Sequence, residues 1–201
     1  MNKKRAIVAL LSGALALVLA AGVAWAATVQ CPVDETCLGT PDADTITGTS
    51  KQDFIRALAG NDLARGMGEA DIVQGGKGKD TVKGLGGPDE LVFGGESGPD
   101  AFGGPFTDAS DDYAYGGAGA DYLWGGYAQA GVDHVYGEDG NDSIQTYQRG
   151  LAKDLGIVVT KEIVNCGAGQ DTVVFDRDKD EVAQNCEVKY PVEPGGGGVP
   201  G

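Results

Sequence analysis

Histidine occurs once in the 201-residue chain, at His134, and that scarcity excludes more chemistry than most residues present suggest. The sequence has no HExxH zinc motif and no set of histidines for a multi-imidazole centre, and it has no GxSxG nucleophile elbow. Basic residues are half as numerous as acidic ones, 15 Lys and Arg against 30 Asp and Glu, for a formal net charge of -15. Charge of that sign opposes binding to nucleic acid or to an anionic membrane surface, and it favours cations. No CxxC pair occurs, which leaves a zinc knuckle without support. Gly78-Lys79 is followed by Asp80 where a phosphate loop needs Ser or Thr.

The one long apolar stretch, Ala6 to Val23, follows Lys3, Lys4 and Arg5 and precedes Ala24-Trp25-Ala26. That order reads as a signal peptide, residues 1–26, with cleavage after Ala26. An uncleaved membrane anchor is the alternative, since the stretch is nearly long enough to span a bilayer. Cleavage removes three basic residues and no acidic ones, so the mature chain is more acidic still. Cys31, Cys37, Cys166 and Cys186 survive processing, and an even count behind a signal peptide implies disulfides made in an oxidising compartment.

What is abundant is glycine, at 35 residues, and a carboxylate that returns every nine residues: Asp44, Asp53, Asp62, Asp71, Asp80 and Asp89. Two places after each stands an apolar or small side chain: Ile46, Ile55, Ala64, Val73, Val82 and Leu91. The ladder continues with short insertions through Asp100, Asp112, Asp121, Asp133 and Asp142, followed by Phe102, Ala114, Leu123, Val135 and Ile144. It resumes at Glu162, Asp171 and Asp180. So short a period means stacked solenoid turns, because no single unit can bury its apolar face alone. Residues 27–43 then form an N-terminal cap, 44–189 the stack, and 190–201 a Pro/Gly tail with the composition of a flexible linker. The four cysteines permit three pairings. Cys31–Cys37 with Cys166–Cys186 is expected, since each pair flanks one end of a stack whose ends stay apart.

Written with the aspartate at position six, the best-formed units are Gly75-Gly76-Lys77-Gly78-Lys79-Asp80, Gly116-Gly117-Ala118-Gly119-Ala120-Asp121 and Gly137-Glu138-Asp139-Gly140-Asn141-Asp142. Each is similar to the hemolysin-type (RTX) calcium-binding nonapeptide G-G-x-G-x-D-x-U-x, where U is apolar. The resemblance implies an all-β fold, a parallel β-roll of about seven turns, with several Ca2+ ions between loops two units apart. The implied ligands are the eleven aspartates from Asp44 to Asp142 and loop backbone at Gly60, Gly75, Gly78, Gly84, Gly87, Gly116, Gly119, Gly137 and Gly140. By the alternation of units, Asp44, Asp62, Asp80, Asp100, Asp121 and Asp142 should line one edge, and Asp53, Asp71, Asp89, Asp112 and Asp133 the other. Glycine permits the positive φ that lets a six-residue loop aim carbonyl oxygens inward, and calcium takes six to eight oxygen ligands.

Stacked at the strand spacing of about 4.8 Å, neighbouring carboxylates repel by roughly 0.9 kcal/mol even in full water screening. Each turn buries only two U side chains, worth about 1.5–3 kcal/mol apiece for the larger ones. Calcium binding is therefore expected to be coupled to folding. The alternative is a calcium-free solenoid whose aspartates cap turns through side-chain to backbone hydrogen bonds. Loops lacking glycine at position four, at Asp42, Lys51, Glu69, Ser110 and Asp178, are the places to look for it.

Positions seven and nine point outward. One face should carry Phe54/Arg56, Ile72/Gln74, Glu90/Val92, Tyr113/Tyr115 and His134/Tyr136, and be the more aromatic of the two. The functional expectation is a secreted, extracellular or cell-surface calcium-binding protein, not an enzyme and with no nucleic-acid partner. An adhesion or glycan-binding module using the aromatic face is the alternative, with calcium purely structural. A polysaccharide-active enzyme ranks below both, because no separate catalytic domain is present.

Overall fold

The computed structural model describes residues 26–32, 36–92, 110–125, 131–147 and 160–192. The expected signal peptide, Asp100, most of the segment 143–161 and the tail beyond Val192 lie outside these residues. Among the described residues no helix is long and apolar enough to cross a membrane.

Every described element is a strand, and the strands alternate between two parallel eight-stranded sheets. The first sheet contains, in spatial order, β1 (Ala27–Gln30), β3 (Asp44–Thr47), β5 (Leu63–Arg65), β7 (Thr81–Gly86), β9 (Tyr113–Ala118), β11 (His134–Asp139), β13 (Ile163–Asn165) and β15 (Glu181–Val182). The second contains β2 (Cys37–Leu38), β4 (Phe54–Ala59), β6 (Ile72–Lys77), β8 (Glu90–Val92), β10 (Tyr122–Trp124), β12 (Ser143–Gln145), β14 (Thr172–Asp176) and β16 (Val188–Val192). One strand of each sheet makes a turn, so the chain is a parallel β-solenoid.

The U side chains fill the space between the sheets. Ile46, Ala64, Val82, Ala114, Val135 and Val164 face inward from one sheet; Ile55, Val73, Leu91, Leu123, Ile144 and Val173 do so from the other, all fully or almost fully buried. The register stacks like on like: Ile46 beside Ala64, Ala64 beside Val82, and Val82 beside Ala114. The two disulfides join Cys31 to Cys37 and Cys166 to Cys186, and all four cysteines belong to the same core.

The strand pairing departs from the sequence reading at three points. Within the segment taken as a cap, β1 pairs with β3 and places Ala27 beside Asp44, so 27–43 contributes a turn of the same ladder. At the other end β16 runs to Val192, two residues past the start of the segment read as a linker. The third point concerns Asp100. The turn that follows Asp80 closes on Asp112, 32 residues on, where the regular turns take 18. The edge expected to run from Asp80 to Asp100 thus runs, among the described residues, from Asp80 to Asp112, and the assignment reverses from there: Asp112 and Asp133 continue the Asp80 edge, while Asp121 and Asp142 continue the Asp89 edge.

The same reversal splits the expected aromatic face. Tyr113/Tyr115 and His134/Tyr136 share the first sheet with Thr45/Thr47, Leu63/Arg65 and Thr81/Lys83. Phe54/Arg56, Ile72/Gln74 and Glu90/Val92 share the second with Tyr122/Trp124. Aromatic side chains thus occur on both faces.

Candidate metal centre

Where strands of the second sheet hand over to the first, one edge of the solenoid stacks Asp44, Asp62, Asp80, Asp112 and Asp133. The opposite edge stacks Asp53, Asp71, Asp89, Asp121, Asp142 and Asp171. In each stack Oδ1 accepts a hydrogen bond from the backbone N–H of the aspartate one turn earlier. Asp62 receives it from Asp44 at 2.7 Å, Asp89 from Asp71 at 2.8 Å, Asp121 from Asp89 at 2.8 Å and Asp142 from Asp121 at 2.9 Å. Half of each carboxylate is thereby committed to holding the backbone.

The other half is not. Oδ2 of Asp62, Asp71, Asp89, Asp121, Asp142 and Asp171 is buried with no hydrogen-bond partner, and the ion pair of Lys161 with Glu181 lies on the surface far along the chain. A buried, unpaired carboxylate oxygen is costly. Burial accordingly pushes the Asp62, Asp71, Asp89, Asp121 and Asp142 carboxyls up to about 6, against the backbone hydrogen bonds that pull them down, and each stacked neighbour adds its repulsion.

The glycine at position one leaves the space these oxygens use. A Cβ on Gly84 would stand 2.1 Å from Oδ2 of Asp89, and one on Gly137 would stand 2.3 Å from Oδ2 of Asp142. Position four brings successive loops together: a Cβ on Gly78 would meet the Gly60 carbonyl oxygen at 1.9 Å, and one on Gly119 the Gly87 oxygen at 1.9 Å. Gly60, Gly78, Gly87, Gly119 and Gly140 all have positive φ. Carbonyl oxygens and one carboxylate oxygen per loop form an all-oxygen donor set, the chemistry a hard cation prefers. Among the described residues no three His, Cys, Asp or Glu side chains gather into a metal cluster. A cation here would instead draw one carboxylate from a loop and complete its shell with backbone.

Two expected ligands are already satisfied. In the first loops a threonine at position two turns back on the aspartate: Thr40 donates its N–H and hydroxyl to the Asp44 carboxylate, and Thr49 does the same to Oδ2 of Asp53, the hydroxyl at 3.0 Å. Turn capping, weighed from the sequence as the alternative for the whole ladder, describes these two. The C-terminal end differs again. Glu162 replaces aspartate on the Asp133 edge, and burial, a hydrogen bond with Asp180 and the charges of Asp180, Asp133 and Asp176 push its carboxyl up to about 11. Glu187 ends the other edge, accepting the Asp171 N–H at 3.0 Å. Its role was not legible in the sequence, because it stands outside the nine-residue phase. Gly75, Gly84, Gly116 and Gly137 occupy position one in strands or at their ends, where the loops begin.

On the outward face of the first sheet, Tyr113 stacks on His134 at 4.7 Å between ring centroids, and Tyr115 on Tyr136 at 4.9 Å. Lys79 and Lys83 lie over the opposite faces of Tyr113 and Tyr115, at 5.1 and 4.4 Å. The two tyrosine rings are thus sandwiched, and what they offer to solvent is edges and hydroxyls.

A family model described as the RTX calcium-binding nonapeptide repeat matches four times, over residues 38–68, 65–97, 106–126 and 127–146, together half of the chain. No curated protein and no solved structure matches at a significant level.

Proposed function

Because the chain belongs to the RTX calcium-binding nonapeptide repeat family, we propose that it is a secreted, non-enzymatic protein whose fold is completed by calcium along its two edges. The observation that carries this is the row of buried, unpartnered Oδ2 atoms at Asp62, Asp71, Asp89, Asp121, Asp142 and Asp171. Each is a charge the fold encloses without a cation of its own. Ions bound only by the folded state supply the missing charge and draw the equilibrium toward it. The ligands we assign are these aspartates with Asp80 and Asp112, and backbone oxygens of the glycine loops. Asp44 and Asp53 act as capped turns.

An extracellular place is supported by the basic and apolar N-terminal segment and by two disulfides. Millimolar calcium outside cells also suits modules of this kind, which hold it at about 10⁻⁴–10⁻³ M. The single histidine is accounted for by its stack on Tyr113, which supports a role without catalysis.

The test is a calcium titration of metal-stripped mature protein at neutral pH, followed by far-ultraviolet circular dichroism. The expected result is weak β signal in chelator and a cooperative rise over the millimolar range. Full β signal in excess chelator, unchanged by calcium, would overturn the proposal.

A further inference from the structure

The first rung of the first sheet differs from those that follow at one position. Register sets Ala27 beside Asp44, Thr28 beside Thr45 and Val29 beside Ile46, and Val29 packs against the core as the U residues of later turns do. Ala27 therefore stands where the later described turns of that edge carry a carboxylate. Its backbone nitrogen makes the bond that belongs to the place, donating to Oδ1 of Asp44 at 3.2 Å, just as the Asp44 nitrogen donates to Oδ1 of Asp62 at 2.7 Å.

Ala27 is also the residue that cleavage after Ala26 exposes as the amino terminus. Hydrolysis of the Ala26–Ala27 peptide bond consumes one water, leaves a carboxylate on Ala26 and frees an α-amine on Ala27 that is largely protonated at neutral pH. A neutral N–H within hydrogen-bond distance of a buried carboxylate thus becomes an ammonium. Asp44 is 3% exposed, and its other donors, the N–H and hydroxyl of Thr40, are neutral. They satisfy its oxygens and leave its charge uncompensated, which is costly under burial. The cost reaches the next rung too: burial pushes the Asp62 carboxyl up to about 6, and the Asp44 charge adds to that push.

The terminus is held where it can act. Four residues on, Cys31 donates its N–H to the Thr47 carbonyl at 2.9 Å and is joined to Cys37 of β2 by a disulfide. The far end of β1 is therefore fixed, and the strand pairing with β3 keeps Ala27 against Asp44.

We propose that removal of the leader supplies the first cation of this edge: the α-ammonium of Ala27 pairs with Asp44 and closes the N-terminal end of the stack. Charge-assisted hydrogen bonds are shorter and about twice as strong as neutral ones, and the unprocessed chain has only the neutral bond. The inference rests on the secreted part of the proposed function, through cleavage after Ala26, and not on calcium. The two cations serve different rungs, the ammonium at threonine-capped Asp44 and calcium from Asp62 onward. Export delivers both, so the first turn is completed only in a chain that has left the cytosol and lost its leader.

Cys31 makes the test direct. A synthetic Ala27–Gln30 thioester, its α-amine free or acetylated, is ligated to Cys31–Gly201, giving two full mature chains that differ by one charge while both keep the N–H. Amide exchange in millimolar calcium should be about fivefold faster in β1 and β3 of the acetylated chain and unchanged in β9 and β11. Asp44→Asn should abolish the difference between the two chains, and Asp53→Asn, on the opposite edge, should preserve it. Equal exchange in the two chains overturns the inference, as does a difference undiminished by Asp44→Asn. A first residue other than Ala27 in the secreted chain, read by intact mass, overturns it too. Full folding in chelator overturns the calcium reading instead, and the same comparison without metal then decides the ammonium. Chains that fold under neither condition overturn both.

Discussion

Asp89 and Asp53 have the same place in the repeat and different surroundings. Oδ2 of Asp89 is buried with nothing to bond to, whereas that of Asp53 receives both donors of Thr49. Asp89→Asn should therefore raise the calcium midpoint for folding several-fold, and Asp53→Asn should shift it little; equal shifts, read by circular dichroism, would place a cation at both. The nine-residue phase made both aspartates visible as candidates. It could not separate them, because the distinction lies in a threonine four residues earlier whose orientation is set by the loop. Position two holds a second residue-scale mismatch. Leu85 adopts φ 83° where the motif has glycine, and it is 37% exposed. Left-handed backbone costs a branched residue about 1–2 kcal/mol, so Leu85→Gly should stabilise the calcium-loaded protein by about 1 kcal/mol in denaturant titration.

At the scale of strands and turns, each rung contacts only its neighbours, and local damage should stay local. The Cys166–Cys186 disulfide ties β13 to the segment before β16. Replacing both cysteines with serine should speed amide exchange in β13 to β16 by at least tenfold, a loss of about 2–5 kcal/mol there, while β5 to β7 keep their protection. Exchange rising evenly along the chain would show a single cooperative unit instead. The inward residues of these elements were readable from the sequence since apolar side chains recur two places after each acid, and every described one is buried except Val182 at the C-terminal end, which is partly so. The edges were not readable past Asp89. Asp100 fits the local pattern of acid and following apolar residue, and that pattern does not say which strand Tyr113 lies beside. The pairing of Thr81 with Tyr113 is what puts Asp112 on the Asp80 edge.

For the whole molecule the raised carboxyls set a pH dependence. Asp62, Asp71, Asp89, Asp121 and Asp142 titrate near 6 in the metal-free fold and near 3.8 when unfolded. The folded state thus binds protons more tightly. Its metal-free stability is fully present below about pH 4 and is lost as pH rises through about 6. Metal-stripped protein should accordingly gain β signal between pH 7.5 and pH 5, and less calcium should be needed to fold it at pH 6 than at pH 8. Signal falling on acidification would contradict the sign. One further property follows from the hydrogen bonds along the edges. Each carboxylate holds the amide of the turn before it, never of the turn after, so support passes one way, from the C-terminal end toward the N-terminal. A failed rung should therefore unseat its predecessor sooner than its successor, and the stack should come apart, like a row of dominoes, with a preferred direction of fall.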